Sequence, residues 1–221
     1  MINHLGIIAD GNRRWARERD LPTLEGHKKG LETLERTVDY AAAEGIKYLT
    51  FFVFSTENWG RSPGEVSYLM KLIGSRILGY AKELKEKNGR LLILGSKDRI
   101  KPKLASTLEQ AERITKDCTG IVVSLCFNYG GEQEIADAAK IAASEGEITP
   151  ETIRKHLYHP EVPNIDMVVR TSGEERISGF MLWRSSYAEF MFIKKYFPDL
   201  NQDDIKSIVK EYSSRNRRFG K

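Results

Sequence analysis

Six short and almost continuously apolar runs alternate along the chain with segments of helical periodicity. The runs are rich in Ile, Val, Leu and Phe, and they lie at Leu5–Ala9, Tyr48–Phe54, Leu91–Leu94, Ile121–Phe127, Ile165–Val169 and Glu189–Ile193. Strands that are apolar on both faces are typical of parallel sheets buried under helices. The pattern therefore predicts an α/β fold with a mostly parallel six-stranded sheet flanked by helices.

The segments between these runs carry apolar residues three and four positions apart, as amphipathic helices do. They predict helices at Lys28–Glu44, Lys103–Lys116, Gln133–Ser144, Thr149–Leu157 and Asp203–Asn216. A further helix begins at Ser62-Pro63-Gly64-Glu65, which has the pattern of a capping box, and ends at Asn88-Gly89. Because the chain contains no long linker, we expect one domain over residues 1–221.

Composition and charge limit the classes of protein to which the chain could belong. The net charge of +4 is small for a protein that binds nucleic acid. The cysteines, Cys118 and Cys126, have neither the spacing of a zinc site nor the number of a disulfide framework. We see no secretory signal and no apolar stretch of about 18 residues. We therefore expect a cytoplasmic protein without a nucleic-acid partner, and contact with a membrane surface stays open.

Polar residues directly follow four of the predicted strands. They are Asp10-Gly11-Asn12-Arg13-Arg14-Trp15, Ser55-Thr56-Glu57-Asn58-Trp59-Gly60-Arg61, Asn128-Tyr129-Gly130-Gly131 and the segment from Arg170 to Ser178. In open α/β sheets, ligands bind outside the carboxyl ends of the strands. The sequence therefore predicts a functional site where these four segments meet.

The residue types in these segments suit phosphate chemistry. Arginine binds phosphate oxygens with two parallel hydrogen bonds, and Mg²⁺ near phosphates needs only one or two carboxylates such as Asp10. Neither Gly-x-x-x-x-Gly-Lys-Ser/Thr nor Gly-x-Gly-x-x-Gly occurs, which argues against a P-loop nucleotide enzyme and against dinucleotide binding. We therefore expect a site for phosphate or diphosphate groups with a metal ion.

Several motifs, in this order, resemble those of the cis-prenyltransferase family, to which undecaprenyl diphosphate synthases belong. They are Asp10–Ala16, Gly26-His27, Phe54–Trp59, Asn128–Gly131, Arg170–Glu174, Arg176–Ser178 and Tyr187–Glu189. The resemblance extends over nearly the whole chain. It implies Mg²⁺-dependent condensation of isopentenyl diphosphate with an allylic diphosphate to a Z-polyprenyl diphosphate. It also implies a hydrophobic tunnel and a homodimer, and it leaves peripheral membrane contact for product release open.

The resemblance also assigns roles to individual residues. It implies that Asp10 and Glu189 hold Mg²⁺ and that Asp10 and Asn58 act in catalysis. Arg14 would bind the allylic diphosphate, whereas Arg170 and Arg176 would bind isopentenyl diphosphate. The full set implied for substrate binding is Gly11, Asn12, Arg13, Arg14, Trp15, His27, Ser55, Thr56, Glu57, Trp59, Arg61, Arg170, Arg176, Ile177 and Ser178.

Two departures from the family pattern bear on the substrate and the product. Thr23 stands where many relatives carry arginine, and Val53 stands where a smaller alanine is common. Strict alternation along the strand predicts that Phe52 and Phe54 share one face and that Val53 lies on the other. The resemblance favours Val53 as the residue that faces the tunnel, beside a helical wall of Leu69, Met70, Ile73 and Ile77.

Simpler interpretations exist for each of these residues taken alone. Asp10 could be a helix N-cap, Asn58 a turn residue, His27 a structural histidine and Glu189 an ion-pair partner. Three other functions also stay open. They are a non-catalytic subunit of a two-component prenyltransferase, a phosphate-ester hydrolase or kinase, and a family member with a short or branched product.

Overall fold

The computed structural model describes residues 1–215, and six strands in this part of the chain form one sheet. The strands are β1 (His4–Ile8), β2 (Tyr48–Ser55), β3 (Arg90–Leu94), β4 (Val122–Tyr129), β5 (Met167–Arg170) and β6 (Glu189–Phe192). Their order across the sheet is β3-β4-β2-β1-β5-β6, and every neighbouring pair is parallel. The predicted α/β fold with six strands is confirmed, and the sheet is parallel throughout.

Seven α-helices accompany the sheet within residues 1–215. They are α1 (Asn12–Arg17), α2 (Thr23–Ala43), α3 (Pro63–Glu86), α4 (Pro102–Thr115), α5 (Gly131–Glu145), α6 (Pro150–Lys155) and α7 (Gln202–Ser214). All were predicted except α1, whose six residues are too few to show a helical period. The predicted end of the last helix at Asn216 lies outside the described residues.

The two faces of the sheet carry separate hydrophobic clusters, because neighbouring strand residues point to opposite faces. Ile7 and Val169 belong to the first cluster, which lies under α2, α3, α4 and α7. Ile8 and Val168 belong to the second cluster, which is covered by residues between 158 and 188. Strand residues are therefore buried on both sides, which explains their continuous apolar runs.

A β-bulge interrupts strict alternation in β2. Phe52 lies opposite Cys126 and Phe54 lies opposite Phe127, so Val53 is an extra residue in its strand. As a result, Phe52 packs with the second cluster while Phe54 belongs to the first. The prediction that the two phenylalanines share a face is wrong, because the bulge turns Phe54 to the face that Val53 occupies.

Val53 faces the seam between α2 and α3. With Ile73, Ile77 and Tyr80 it lines a cavity of about 10 Å³ there. Met70, which we expected on the same wall, lines a groove between α3 and α4 instead. Side chains therefore fill this seam almost completely, and its free volume is far smaller than a hydrocarbon chain.

Candidate active site

A polar cavity of about 510 Å³ opens at the carboxyl ends of β1, β2 and β5. Segments that are far apart in sequence converge there because parallel strands end at the same edge of the sheet. Of the predicted site residues, those that line the cavity are Asp10, Gly11, Asn12, Arg13, Arg14, His27, Ser55, Asn58, Arg61, Arg170 and Ser178.

A tight turn carries the chain from β1 into α1. Gly11 is the N-cap of α1 and has φ +102°, a left-handed conformation that favours glycine. A Cβ atom there would lie 2.5 Å from the ring of Tyr196. The Gly11 N–H donates to Oδ1 of Asp10 at 2.6 Å, which leaves Oδ2 facing the cavity residues. The interpretation of Asp10 as the helix N-cap is therefore wrong, since Gly11 occupies that position.

Arg170 lies at the end of β5 and is only 5% exposed. Its Nη2 donates to Oδ2 of Asp10 at 2.8 Å, and its Nη1 donates to the Arg176 carbonyl at 2.6 Å and to Oγ of Ser178 at 2.9 Å. Its Nε is buried and has no hydrogen-bond partner among the described residues. A buried cationic donor without an acceptor is costly, so this nitrogen suits an incoming anion.

Opposing effects act on the Asp10 carboxyl. Burial alone would raise its pKa, but the hydrogen bond and the charge of Arg170 outweigh burial and lower the pKa below its ordinary value of 3.8. The Gly11 N–H and the Arg14 charge act in the same direction. Asp10 is therefore a carboxylate at neutral pH, the form that a metal ion requires.

Five charged side chains form a continuous chain of ion pairs along the cavity rim, which we call the rim chain. Oδ2 of Asp10 lies 2.8 Å from Arg170 and 3.5 Å from Arg14. The carboxylate of Glu174 then joins Arg14 at 2.8 Å through one oxygen and Arg176 at 2.6 Å through the other. The arginines assigned to the two diphosphates are thus linked by a single carboxylate.

A second ionic cluster lies on the opposite side of the cavity. Oε1 of Glu65 lies 3.0 Å from His27, 3.1 Å from Arg61 and 3.9 Å from Arg13. Burial lowers the pKa of His27 in spite of Glu65, so its imidazole is neutral near pH 7. Both arginines line the cavity. His27 is therefore held by Glu65, as a structural histidine would be, and it also lines the cavity.

Asn58 lies in a short 3₁₀ helix, Thr56–Gly60, that follows β2. Its Oδ1 accepts a hydrogen bond from the Ser55 N–H at 3.2 Å, as a turn residue would. The side chain also lines the cavity. With the oxygen engaged, the amide nitrogen is the group that can contact a substrate.

Other predicted residues are near the cavity but do not line it. The Trp15 indole donates to Asp199 at 2.6 Å, and the Trp59 indole donates to Asn128 at 2.7 Å. These bonds fix the segments that carry the cavity residues. Thr56 donates to its neighbour Glu57 at 3.0 Å at the surface.

The segment after β5 has an inner and an outer part. Ile177 packs against the second hydrophobic cluster, whereas the side chain of Arg176 is 58% exposed at the rim. Ser178 lies at the cavity, where its hydroxyl meets Arg170. Arg176 is therefore free to reorient toward a ligand, and Arg170 is not.

The structure does not bring Glu189 to Asp10. Glu189 begins β6 opposite Met167, at the amino edge of the sheet, whereas Asp10 follows the carboxyl end of β1. Glu189 instead pairs with Arg215 at 2.9 Å, which agrees with the simpler interpretation as an ion-pair partner. Strand rise separates the two carboxylates by roughly 10 Å or more, so one chain cannot place both on one metal ion.

The donors at the cavity fit magnesium with few protein ligands. Residues 1–215 contain no group of three or more His, Cys, Asp and Glu side chains that could enclose a metal ion. Mg²⁺ often takes only one or two carboxylates and completes its shell with phosphate oxygens and water. Asp10 can supply that carboxylate. Asn12 also lines the cavity, and its buried Oδ1 has no hydrogen-bond partner within residues 1–215.

Sequence reasoning missed three charged residues of the site. Arg17 lines the cavity, Glu65 gathers one ionic cluster and Glu174 joins the two diphosphate arginines. Arg17 follows Arg13 by four positions on α1, a spacing that places both on one helix face. Glu174 belongs to a motif that we recognised without giving it a role. The position of Glu65 at the third residue of α3 indicated only a helix cap.

Comparison with known proteins gives consistent matches over the whole chain. The family model of undecaprenyl diphosphate synthases matches residues 8–220. An isoprenyl transferase of Thermotoga maritima is 44% identical, covering 98% of this chain and 96% of its own length. A farnesyl-diphosphate-specific ditrans,polycis-undecaprenyl-diphosphate synthase of Micrococcus luteus is 39% identical, covering 98% of this chain and 90% of its own length.

A solved structure matches the fold closely. Lavandulyl diphosphate synthase from Lavandula x intermedia, in complex with dimethylallyl diphosphate, superposes with a TM-score of 0.95 at 32% identity. The match covers 100% of this chain and 98% of that one. Among residues 1–215, no helix has the length and apolarity needed to span a bilayer.

Proposed function

Since the chain belongs to the undecaprenyl diphosphate synthase family of prenyltransferases, we propose that it condenses isopentenyl diphosphate with an allylic diphosphate in a Mg²⁺-dependent reaction. The product is a Z-polyprenyl diphosphate. The observation that carries the proposal is the rim chain, in which Arg14 and Arg170 line one cavity and Arg176 is joined to Arg14 at its rim through Glu174. Three guanidinium groups with unused donors suit two diphosphates.

The allylic substrate loses its diphosphate as the C–O bond breaks and negative charge grows on the leaving oxygen. Arg14 and Arg13 bind that diphosphate. Asp10 would hold the metal ion, which would supply positive charge to neutralise the leaving group. Asp10 is suited to this task because Arg170 keeps it ionised. The complex of the lavandulyl diphosphate synthase with dimethylallyl diphosphate supports an allylic diphosphate as one substrate.

Isopentenyl diphosphate binds at the end of β5. Arg170 and Ser178 form the inner part of this site, and the exposed Arg176 closes over its diphosphate. Holding both diphosphates in register places the alkene carbon against the allylic carbon. A new C–C bond forms as the C–O bond breaks, and a proton then passes from the condensed unit to an oxygen of a bound diphosphate. The amide of Asn58 orients the diphosphate oxygens for that proton loss.

The hydrocarbon tail runs from the cavity into the seam between α2 and α3. Leu69 and Val53 lie at the cavity end, and Val53 also reaches the seam with Ile73 and Ile77. Burial of the tail stabilises the complex by about 0.8 kcal/mol per CH₂ group. The seam must widen to admit the tail, so growth of the product and opening of the seam are coupled.

The β6 edge of the sheet has features that favour association with a second copy of the chain. β6 is an edge strand, and its Phe190 and Phe192 are each 36% exposed and stacked with ring centroids 6.4 Å apart. Exposed aromatic side chains favour association on a strand whose outer edge has no neighbouring strand within residues 1–215. We propose a single-domain chain in a homodimer, located in the cytoplasm.

Product analysis tests the function directly. The protein is incubated with isopentenyl diphosphate and a panel of allylic primers, with Mg²⁺ or with a chelator, and the products are identified by mass spectrometry. Elongated prenyl diphosphates should form only with Mg²⁺. Release of inorganic phosphate without elongation would indicate the hydrolase alternative, and no turnover in the isolated chain would indicate a non-catalytic subunit.

Val53 tests the length of the product. A valine adds two methyl carbons to a seam of about 10 Å³, and packed walls tolerate extra volume poorly. We expect a product no longer than the eleven-unit chain typical of bacterial relatives, and Val53→Ala should shift the product distribution to longer chains. Val53→Leu should shorten the products. An unchanged distribution in both variants would place the limit elsewhere in the seam.

A further inference from the structure

A second cavity, larger than the active-site cavity, lies next to it. It is a groove of about 790 Å³ between the first half of α3 and the start of α4. Its apolar surface comes from Trp59, Pro63, Val66, Met70 and Leu104, and Gly74 leaves room at its centre. The groove borders the active-site cavity at Arg61, which lines both. The seam proposed for the hydrocarbon tail lies on the α2 flank of α3 and shares no lining residue with the groove.

The rim of this groove carries charge of one sign. The charged residues that line it are Arg61, Lys71, Arg99, Lys101 and Lys103, and no aspartate or glutamate is among them. Arg61 pairs with Glu65, whereas the other four have no carboxylate oxygen within 4.0 Å in residues 1–215. Arg99 lies over the Trp59 ring at 4.7 Å. Unpaired cations therefore surround an apolar floor.

A shallow depression elsewhere on α3 shows the contrast. It lies between α2 and α3, and both of its lysines face carboxylates directly, with Lys29 near Glu32 at 3.1 Å and Lys87 near Asp39 at 2.6 Å. Such a surface is already neutralised. The groove between α3 and α4 is not, so its charge is available for an external anion.

We propose that this groove docks the protein on an anionic phospholipid membrane, with lipid phosphates at the lysine rim and an acyl chain on the apolar floor. None of the residues that line the groove belongs to a strand, so an extended peptide would find no strand edge there with which to pair its backbone. A hydrocarbon chain has no backbone groups to pair. Clustered Lys and Arg beside apolar side chains are the features by which proteins bind anionic bilayers.

The groove lies where docking would bring the product close to the bilayer. This inference about the product rests on the proposed function. Trp59 and Arg61 line the groove, and both belong to the segment that follows β2 and carries Asn58. A polyprenyl diphosphate is poorly soluble in water because its hydrocarbon is long. Docking through α3 holds the product-bearing side of the protein against the bilayer that receives the product.

Vesicle binding tests the proposal with a matched pair of charge variants. Lys101→Glu with Lys103→Glu reverses the rim, and Lys140→Glu with Lys210→Glu makes the same charge change at exposed positions on α5 and α7. Wild-type protein should sediment with phosphatidylglycerol vesicles and not with phosphatidylcholine vesicles. The rim variant should bind roughly thirtyfold less tightly or weaker, and the control variant should bind nearly as the wild type does.

A reporter in the groove tests contact with the acyl chains. Ser75 is exposed and lines the groove, so Ser75→Trp adds a fluorophore without removing core atoms. Phosphatidylglycerol vesicles with brominated acyl chains should quench this added fluorescence, and the rim variant should abolish the quenching.

Three results would overturn the docking proposal. In the first, the two charge variants bind vesicles equally. In the second, the wild type does not bind phosphatidylglycerol vesicles. In the third, the rim variant loses self-association and the wild type binds no vesicles. The third would assign the groove to a second copy of the chain. Turnover of a water-soluble primer without vesicles is measured in parallel, since wild-type inactivity there would refute the proposed function independently of docking.

Discussion

Two clusters of arginine and carboxylate side chains in this protein differ in how fully their hydrogen bonds are satisfied. In the buried cluster, Arg184 is 1% exposed and Glu134 is 0% exposed. Arg184 donates to Glu134 at 2.7 Å and to the carbonyls of Tyr158, His159 and Val162. Glu134 also accepts from the Tyr158 N–H, and from the Tyr129 hydroxyl at 2.5 Å. Each charged atom in this cluster has a partner.

The rim chain has the same chemical groups with incomplete bonding. Nε of Arg170 has no partner among the described residues, and Arg176 makes its one side-chain bond to Glu174 while its side chain is 58% exposed. Donors that are not already bonded can donate to a ligand without the loss of hydrogen bonds that stabilise the fold. The difference teaches that saturation of hydrogen bonds, and not the presence of charge, separates the structural cluster from the binding cluster.

The strongest test breaks the buried cluster. Arg184→Met leaves the Glu134 carboxylate buried without its cation, which should lower the free energy of unfolding by about 3–5 kcal/mol. Urea unfolding followed by circular dichroism measures the loss. Adding Glu134→Gln removes the buried charge, so the double variant should recover part of the lost stability. A single variant as stable as the wild type would show that the cluster does not hold the fold.

The next test removes from the rim chain the Asp10 carboxylate, which we propose holds the metal ion. Asp10→Ala should lower turnover by about a hundredfold or more, because a bound metal contributes several kcal/mol to the transition state. Asp10→Asn keeps the size of the side chain and should be nearly as inactive. Steady-state kinetics with saturating substrates measures both. Near-normal turnover of either variant would remove Asp10 from the proposed metal site.

Asp10 also provides a test that depends on pH. Its pKa is lower in the folded state than its ordinary value, so the ionised carboxylate stabilises the fold above that ordinary value. This contribution is lost as pH falls through the lowered pKa. The difference in unfolding free energy between wild type and Asp10→Asn should therefore be present at pH 7 and shrink below about pH 4. A difference that grows in acid would contradict the lowered pKa.

The fold could be predicted from the sequence because its strands are buried on both faces. Where apolar runs of strand length, such as Tyr48–Phe54, alternate with helical segments, burial of each strand between two layers of helices explains the runs. The bulge at Val53 could not be predicted, because it depends on how β2 pairs with β4. Alternation read from one strand alone placed Phe54 on the wrong face.

The site was predictable where its residues follow strand ends. Asp10 and Arg170 are distant in sequence, yet adjacent parallel strands bring them to 2.8 Å. Glu65 and Glu174 were missed because their roles depend on which cations surround their carboxylates, and that is a tertiary property. Glu189 was placed by motif alone, and the strand register put it at the other edge of the sheet.

A smaller effect is expected from the exposed arginine of the rim chain. Arg176→Ala should raise the KM for isopentenyl diphosphate roughly tenfold to a hundredfold, since a hydrogen bond to a charged group contributes about 1.5–3 kcal/mol. The KM of the allylic substrate should change little. Arg176→Lys should restore part of the affinity, because it keeps the charge and loses the planar fork. A rise in the allylic KM alone would show that the two diphosphate sites are assigned in reverse.

The smallest effect is expected at Glu174, the carboxylate that joins Arg14 to Arg176. Its pKa is lowered by its hydrogen bond to Arg176, so it is ionised and competes with diphosphates for both arginines. Glu174→Gln removes this competitor and should lower the KM of both substrates by less than about fivefold, as expected for exposed ion pairs. The decrease should be larger at low salt than at high salt, because screening already weakens the competing pairs. Glu175→Gln, an exposed neighbour with the same charge change, is the control and should leave both KM values unchanged. If Glu174→Gln instead raises both KM values, Glu174 positions the arginines for the diphosphates, and the rim chain is a preformed framework and not an occupied anion site.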